Sequence, residues 1–162
     1  MSTVRELEPE DWRIWRALRL RALRDAPDAF ASTLADTLER EARDGEAYWR
    51  GYFTRSGPTL IAEIGGVPSG MARVVVEDVD GPADLFSMWV APEARGRGVG
   101  AHLIRTGLDW LEDHHPGTVL RLAVVETNAP ARRLYERCGF DVIGRNPEHG
   151  AELLMERSPH AR

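Results

Sequence analysis

One glycine-rich stretch decides the fold, Arg95-Gly96-Arg97-Gly98-Val99-Gly100-Ala101, which joins an apolar run at 85–90 to a helical pattern at 99–111. The short apolar run predicts a strand, and apolar residues at spacings of three and four predict a helix after the glycines. Glycine lets a backbone approach a ligand closely, and the start of a helix carries a partial positive charge. The stretch therefore predicts a site for a diphosphate.

The two arginines of this stretch are expected to add most of the affinity. A charge-assisted hydrogen bond contributes roughly 1.5–3 kcal/mol, whereas a helix terminus contributes about 0.3–1 kcal/mol. Arg95 and Arg97 would therefore bind the anion, and the helix would mainly orient it.

Spacing separates the known phosphate loops better than glycine content does. A Walker loop requires Lys-Ser/Thr after its last glycine, but Ala101 and His102 follow Gly100. A dinucleotide-binding turn fits residues 96–101, with Glu126 as the ribose-binding acid, although Glu126 comes later than the roughly 20 residues expected. A nucleotide-dependent oxidoreductase is therefore one alternative. The order of elements argues against it, because two helices and a hairpin precede the single strand-helix-strand crossover.

A third interpretation rests on two motifs in the same order. Arg95-x-x-Gly98-x-Gly100 resembles the pyrophosphate-binding signature of the GNAT superfamily of N-acetyltransferases. Residues 122–140 resemble the second signature of that family, with Asn128, Ala131, Leu134-Tyr135 and Gly139-Phe140 in sequence. The less specific segment 25–30 also resembles one that is frequent in such enzymes.

The resemblance implies a fold and an activity. It implies a mixed α/β domain over residues 1–162, with a mostly antiparallel sheet, one parallel crossover and about four flanking helices. The implied enzyme moves an acetyl group from acetyl-CoA to a primary amine by direct attack in a ternary complex. A domain that binds or senses acyl-CoA without catalysis is the alternative from another class.

The resemblance also assigns roles to residues. The backbone of Trp89 and Val90 would contact the pantetheine and thioester, and Tyr135 would protonate the departing CoA thiolate. The implied cofactor-binding residues are Trp89, Val90, Arg95, Gly96, Arg97, Gly98, Val99, Gly100, Ala101, Asn128 and Ala131. Without the motif, Tyr135 would be read as a core residue, whereas Asn128 can cap a helix and still offer its amide to a ligand.

The acceptor amine also needs a base. An alkylamine with a pKa near 10.4 is mostly protonated at pH 7, so its neutral form costs about 4.6 kcal/mol. Asp84 is the candidate, because relatives carry a carboxylate at this place and because alternation puts Asp84, Phe86, Met88 and Val90 on one side of a strand. The competing interpretation is a turn aspartate after Gly81-Pro82.

Elsewhere the pattern is less specific. Phe30, in a predicted loop at 25–33, is a candidate substrate contact, with a core anchor as the alternative. Strands are predicted near 4–7, 59–64, 71–76, 85–90, 119–125, 140–145 and 151–157, and helices at 9–26, 37–53, 99–111 and 128–139. The first helix should bury one apolar stripe and expose its arginines.

Composition excludes several partners. A net charge of −5 over 162 residues disfavours nucleic acid, so the basic loop should serve a small anion. No apolar run approaches the length of a membrane span, and the acidic N-terminus is unlike a signal peptide, so we expect a cytoplasmic protein. The single cysteine, Cys138, and the histidine spacing predict no metal. The expected partner is a small-molecule or peptide amine, and a homodimer stays open as the assembly.

Overall fold

The computed structural model describes residues 1–30 and 32–159 as seven strands and five α-helices. In chain order these are β1 (Ser2–Glu6), α1 (Trp12–Asp25), α2 (Leu34–Asp44), α3 (Glu46–Arg50), β2 (Thr59–Ile64), β3 (Val67–Val75), β4 (Ala83–Val90), α4 (Val99–His114), β5 (Leu120–Val125), α5 (Ala129–Arg137), β6 (Asp141–Arg145) and β7 (Glu152–Arg157). Each predicted strand is present within a few residues of its expected bounds.

The strands form one sheet in the order β1-β2-β3-β4-β5-β7-β6. Neighbouring strands are antiparallel except β4 and β5, which are parallel and joined through α4. The predicted mixed α/β fold with one parallel crossover is therefore confirmed. A doubly wound dinucleotide-binding sheet is excluded, because such a sheet is mostly parallel.

Helices cover both faces of the sheet. α1 packs on β3 and β4, and α4 packs on β3 and β2 from the opposite face. The two aromatic residues Trp15 and Trp49 are fully buried on the α1 side, and Leu103 and Ile104 of α4 are fully buried on the other. No helix within the described residues is long and apolar enough to cross a membrane.

The single helix predicted at 37–53 is wrong. Thr33 caps α2 by accepting from the Asp36 N–H, so the helix begins earlier than expected. It ends at Gly45, whose φ of 60° leaves the helical region, and α3 then starts in a new direction. The chain therefore has five α-helices where about four were expected.

A bulge interrupts β4. Phe86 lies opposite Arg73 and Trp89 lies opposite Met71, so β4 uses one residue more than β3 over this interval. The extra residue is accommodated at Ser87, whose φ of 58° is positive; among the described residues it is the one non-glycine residue with this conformation.

After the bulge, the side chains of β4 lie on the opposite sides of the sheet from those that simple alternation predicts. Trp89 contacts α1 through its indole N–H, whereas the Met88 side chain reaches α4 beside Gly100. The predicted alternation of Asp84, Phe86, Met88 and Val90 on one side is therefore wrong beyond Phe86.

Candidate active site

A cleft opens where β4 and β5 separate. The two strands pair only at Ala83 with Leu120 and at Asp84 with Arg121. Beyond that point lies a cavity of about 470 Å³. It brings together three of the predicted site residues, Phe30, Asp84 and Tyr135.

Asp84 lies inside β4 rather than in the preceding turn. It is half-buried and faces Arg121 of the adjacent strand. Burial raises the pKa of the Asp84 carboxyl, and the positive charges of Arg121 and Arg55 offset part of that increase. A half-buried carboxylate with a raised pKa accepts a proton more readily than one in water.

Tyr135 is on α5 with its ring in the core. Its side chain is buried and packs edge-on against Phe140, with the ring centroids 6.0 Å apart. Burial raises the pKa of the phenol above its usual range, so it stays protonated near neutral pH. No described residue hydrogen-bonds its hydroxyl, which leaves that proton available on the cleft wall.

The glycine loop forms an open cradle at the start of α4. Gly96 and Gly98 have φ values of 77° and 76°, and a Cβ added at either would meet nothing within 4 Å. The first hydrogen bond of α4 is His102 N–H to the Gly98 carbonyl, at 3.0 Å. Among the described residues, none accepts from the backbone N–H groups of 96–101. These free donors at a helix N-terminus fit an anion such as a diphosphate.

Gly100 has a packing role that its motif position does not suggest. An added Cβ would lie 2.8 Å from Leu134 Cδ2 and 3.2 Å from Met88 Cε. Gly100 and Val99 are both buried, whereas Ala101 is half-buried. Gly100 can therefore offer a ligand only its backbone N–H, and its lack of a side chain lets α4 approach α5.

The two loop arginines differ in their surroundings. Arg95 donates from Nη2 to Asp25 Oδ2 at 2.6 Å and from Nε to the Val90 carbonyl at 3.1 Å. Arg97 is exposed and has no ion pair with any described residue. Arg95 thus ties the loop to α1 and β4, whereas Arg97 extends from the loop without an ion-pair partner among the described residues, and anion binding by both stays a prediction.

Asp25 links the loop to the end of β4. Its Oδ2 also accepts from Trp89 Nε1 at 2.9 Å. This hydrogen bond, followed by that from Arg95, lowers the pKa of the Asp25 carboxyl. Since the Trp89 side chain points to α1, Trp89 can offer a ligand in the cleft only its backbone groups.

Asn128 caps α5 as predicted. Its Oδ1 accepts from the Ala131 N–H at 3.3 Å. Within the described part of the chain, its Nδ2 amide has no partner. The donors of Asn128 are therefore available just after the end of β5.

The sequence analysis missed a set of arginines that lines the cleft. The set consists of Arg19, Arg55, Arg73 and Arg121. Arg19 contradicts the expectation that α1 exposes its arginines, because only 5% of it is accessible. Two features of the sequence indicate that these arginines are buried. Arg19 lies four residues from both Trp15 and Leu23 on the apolar stripe, and Arg73 is the one charge inside the run 71–76.

Sequence comparison gives a family match and curated relatives. The model of the acetyltransferase (GNAT) family matches residues 15–140. A mycothiol acetyltransferase of Brachybacterium faecium is 33% identical over 140 residues, and one of Thermomonospora curvata is 34% identical over 151. These alignments cover 86% and 90% of this chain but only 40% and 48% of the relatives. The chain thus spans less than half the length of these relatives.

Solved structures share the fold. A GCN5-related N-acetyltransferase from Kribbella flavida superposes with a TM-score of 0.71 at 29% identity, over 97% of both chains. A GNAT acetyltransferase from Streptococcus pneumoniae gives 0.77 at 21%, over 98% of this chain and 99% of the other. The PaiA N-acetyltransferase from Thermoplasma acidophilum, solved with coenzyme A, gives 0.77 at 16%, over the same shares. The sheet, the motifs and the match over 15–140 agree, and this chain belongs to the acetyltransferase (GNAT) family.

Proposed function

We propose that this chain transfers an acetyl group from acetyl-CoA to a primary amine, by direct attack of the amine in a ternary complex. The observation that carries the proposal is that Asp84 and Tyr135 line one cleft. A carboxylate that can take a proton and a phenol that can give one are the two groups that such a transfer needs.

The glycine loop would hold the cosubstrate. The free N–H groups of 96–101, the Arg97 guanidinium and the Asn128 amide are donors suited to the phosphates and amides of CoA. Acetyl-CoA supplies the activated acyl group as a thioester. Relatives named acetyltransferases support this role. So does a Salmonella typhimurium neighbour solved with acetyl-CoA, at a TM-score of 0.76.

Asp84 would take the proton of the amine, directly or through water. The amine must be neutral to attack, and its ordinary pKa of about 10.4 makes the neutral form rare at pH 7. The raised pKa of Asp84 brings its proton affinity closer to that of the amine.

Tyr135 would give its proton to the leaving thiolate. A thiol with a pKa near 8.5 is already a fair leaving group, so the acid needs to contribute only about 10²-fold. Phe30 lines the same cleft and would contact the acceptor.

The experiment is a thiol-release assay with acetyl-CoA and a panel of amines, with the product checked by mass spectrometry for one added acetyl group. We expect turnover for at least one amine above the rate without acceptor. Thermal stabilisation by CoA without turnover of any amine would instead support a sensing domain. Stabilisation by NAD and not by CoA would overturn the proposal.

A further inference from the structure

Two arginines in the cleft are buried, and no acidic residue in the described part of the chain pairs with them. Arg19 of α1 is 5% exposed and Arg73 of β3 is 7% exposed. The Arg19 guanidinium lies 4.5 Å from the Phe30 ring centroid, and that of Arg73 lies 4.6 Å from the centroid of Tyr52. We call Arg19 and Arg73 the arginine pair.

The other cleft arginines are neutralised, and the arginine pair is not. Arg55 forms an ion pair with Glu77, and Arg121 Nε donates to Glu156 at 2.9 Å. Among the described residues, no acid pairs with Arg19 or Arg73. In Arg19, Nε and Nη1 are buried and have no hydrogen-bond partner among residues 1–30 and 32–159.

This arrangement is costly for the free protein. A buried cation is expensive unless it is paired, and the two guanidinium charges repel each other. Burial, together with the positive charges of Arg55 and Arg19 and partly offset by the Tyr52 and Tyr48 phenols, lowers the pKa of Arg73 to about 10. Burial raises the pKa of the Tyr48 phenol to about 12, so this group is neutral near pH 7 and supplies no negative charge there.

The surroundings of the two guanidinium groups indicate which kind of group would neutralise their charge. Aromatic rings cover one face of each guanidinium, a contact worth about 0.5–2 kcal/mol. The N–H donors of a guanidinium lie along its edges, in its own plane, where they match the two oxygens of a carboxylate. The rings therefore leave the in-plane donors without a partner among the described residues, and the unpartnered Nε and Nη1 of Arg19 are donors that an anion would have to reach.

We propose that the acceptor amine also carries a carboxylate, which the arginine pair binds while the amine faces Asp84. The inference rests on the proposed function and adds the class of acceptor, an amino acid or a peptide with a free C-terminus. The acids that line the cleft are Asp84, Glu148 and Glu152, on β4 and near β7, so none is on the elements of the pair. A molecule with an amine at one end and a carboxylate at the other complements this charge pattern.

The first experiment measures anion binding without catalysis. Thermal unfolding is followed with glutarate and with its diamide, glutaramide, for the wild-type chain, Arg73→Met and Arg19→Met. Glutarate should raise the wild-type Tm and glutaramide should not, and both variants should lose the response. Without ligand, Arg73→Met should unfold at a higher temperature than the wild type, because an unpaired buried charge has been replaced by an apolar chain.

Arg105→Met is the matched control, because Arg105 is exposed on α4 outside the cleft. It should keep the wild-type response to glutarate. An equal response to glutarate in the wild type, Arg73→Met and Arg19→Met would overturn the assignment of the anion site.

The second experiment measures turnover of matched acceptors, lysine against lysinamide and glycylglycine against its amide. Wild-type kcat/KM should favour the carboxylate member by about ten- to a hundredfold, the range of one charge-assisted hydrogen bond. Arg73→Met should reduce this ratio to near one, and Arg73→Lys should restore part of it. The ratio is compared between variants because amidation also changes the pKa of the amine.

The two proposals fail in different ways. Glutarate binding with no turnover of any amine would keep the anion site and overturn the proposed function. Equal kcat/KM for the acid and amide acceptors, with no effect of glutarate on Tm, would be compatible with acetyl transfer and would overturn the carboxylate site.

Discussion

The proposed catalytic role of Tyr135 depends on its hydroxyl group alone. Tyr135→Phe keeps the buried ring and its contact with Phe140, so folding and acetyl-CoA affinity should be unchanged. Without the proton donor, kcat should fall by about tenfold to a hundredfold. Steady-state kinetics together with a thermal unfolding curve test this. A wild-type kcat would restrict Tyr135 to packing.

Asp84→Asn should have opposite effects on activity and stability. At neutral pH kcat/KM should fall, and the deficit should shrink as rising pH deprotonates the amine in solution. Because the folded-state pKa of Asp84 is raised, its ionisation above the unfolded-state pKa of about 3.9 costs stability. The variant should therefore be more stable than the wild type at pH 7, and the gain should vanish below about pH 4. An unchanged pH–rate profile would remove Asp84 from the mechanism.

What the sequence reveals about a residue depends on whether a motif surrounds it. Tyr135 and Asn128 were found because both belong to a recognisable spacing. Arg19 and Arg73 belong to none, and ordinary priors place arginine at the surface. Arg19 is buried because its neighbours on the α1 stripe are apolar, and Arg73 is buried because it lies within the apolar strand β3. A search for apolar residues alone does not include either arginine.

In the glycine loop, substitutions of Arg97 and Asp25 should distinguish a residue that binds acetyl-CoA from one that holds the loop in place. Arg97 is exposed and unpaired among the described residues, so Arg97→Ala should raise KM for acetyl-CoA by about tenfold, with kcat and Tm nearly unchanged. A fall in kcat at constant KM would contradict the diphosphate assignment.

Asp25→Ala should raise the same KM indirectly and also lower Tm. It removes the acceptor of both the Trp89 indole and the Arg95 guanidinium, which leaves the indole N–H of a buried tryptophan unpaired and frees the loop. Asp28→Ala is the matched control, since Asp28 is exposed in the next turn. Equal kinetics and stability for the two variants would show that Asp25 does not position the loop.

The strands and helices were predictable where the spacing of apolar residues stays constant along the segment. Each strand was found, because its apolar run is bounded by turn residues. The break at Gly45 was missed because a glycine inside a helical pattern is compatible with continuation. The bulge at Ser87 was missed because nothing in the local sequence marks the extra residue; it shows only in the register against β3.

For the molecule as a whole, the topology was predictable and the cleft was not. A strand-helix-strand unit predicts that β4 and β5 are parallel neighbours. Yet β5 pairs with β7 along its whole length, Leu120 to Val125, and with β4 only at its first two residues. β5 therefore follows β7 away from β4. The pairing of β5 with β7 leaves the cavity between β4 and β5. It depends on contacts between residues far apart in sequence, which the local pattern does not reveal.

The stability of the whole molecule at low pH should depend on Glu41, which joins α2 to α1 and α3. Its carboxylate accepts from Arg16 Nη2 at 2.8 Å and from Trp49 Nε1 at 2.6 Å. The hydrogen bond from Arg16, and then that from Trp49, lowers the pKa of Glu41. A lowered folded-state pKa stabilises the fold above the unfolded-state pKa, about 4.3, and this contribution is lost as the pH falls through the folded value.

Glu41→Gln should therefore lower the free energy of unfolding at pH 7 by about 1–2 kcal/mol, or about 2–8 °C in Tm for a chain of this size. The difference from the wild type should narrow as the pH falls below about 4. Glu46→Gln is the control, because Glu46 forms an exposed pair with Arg50 on α3 that contributes little. Thermal unfolding from pH 7 to pH 3 measures all three chains. Curves for Glu41→Gln and Glu46→Gln that coincide over this range would show that Glu41 does not stabilise the packing of α2 against α1 and α3.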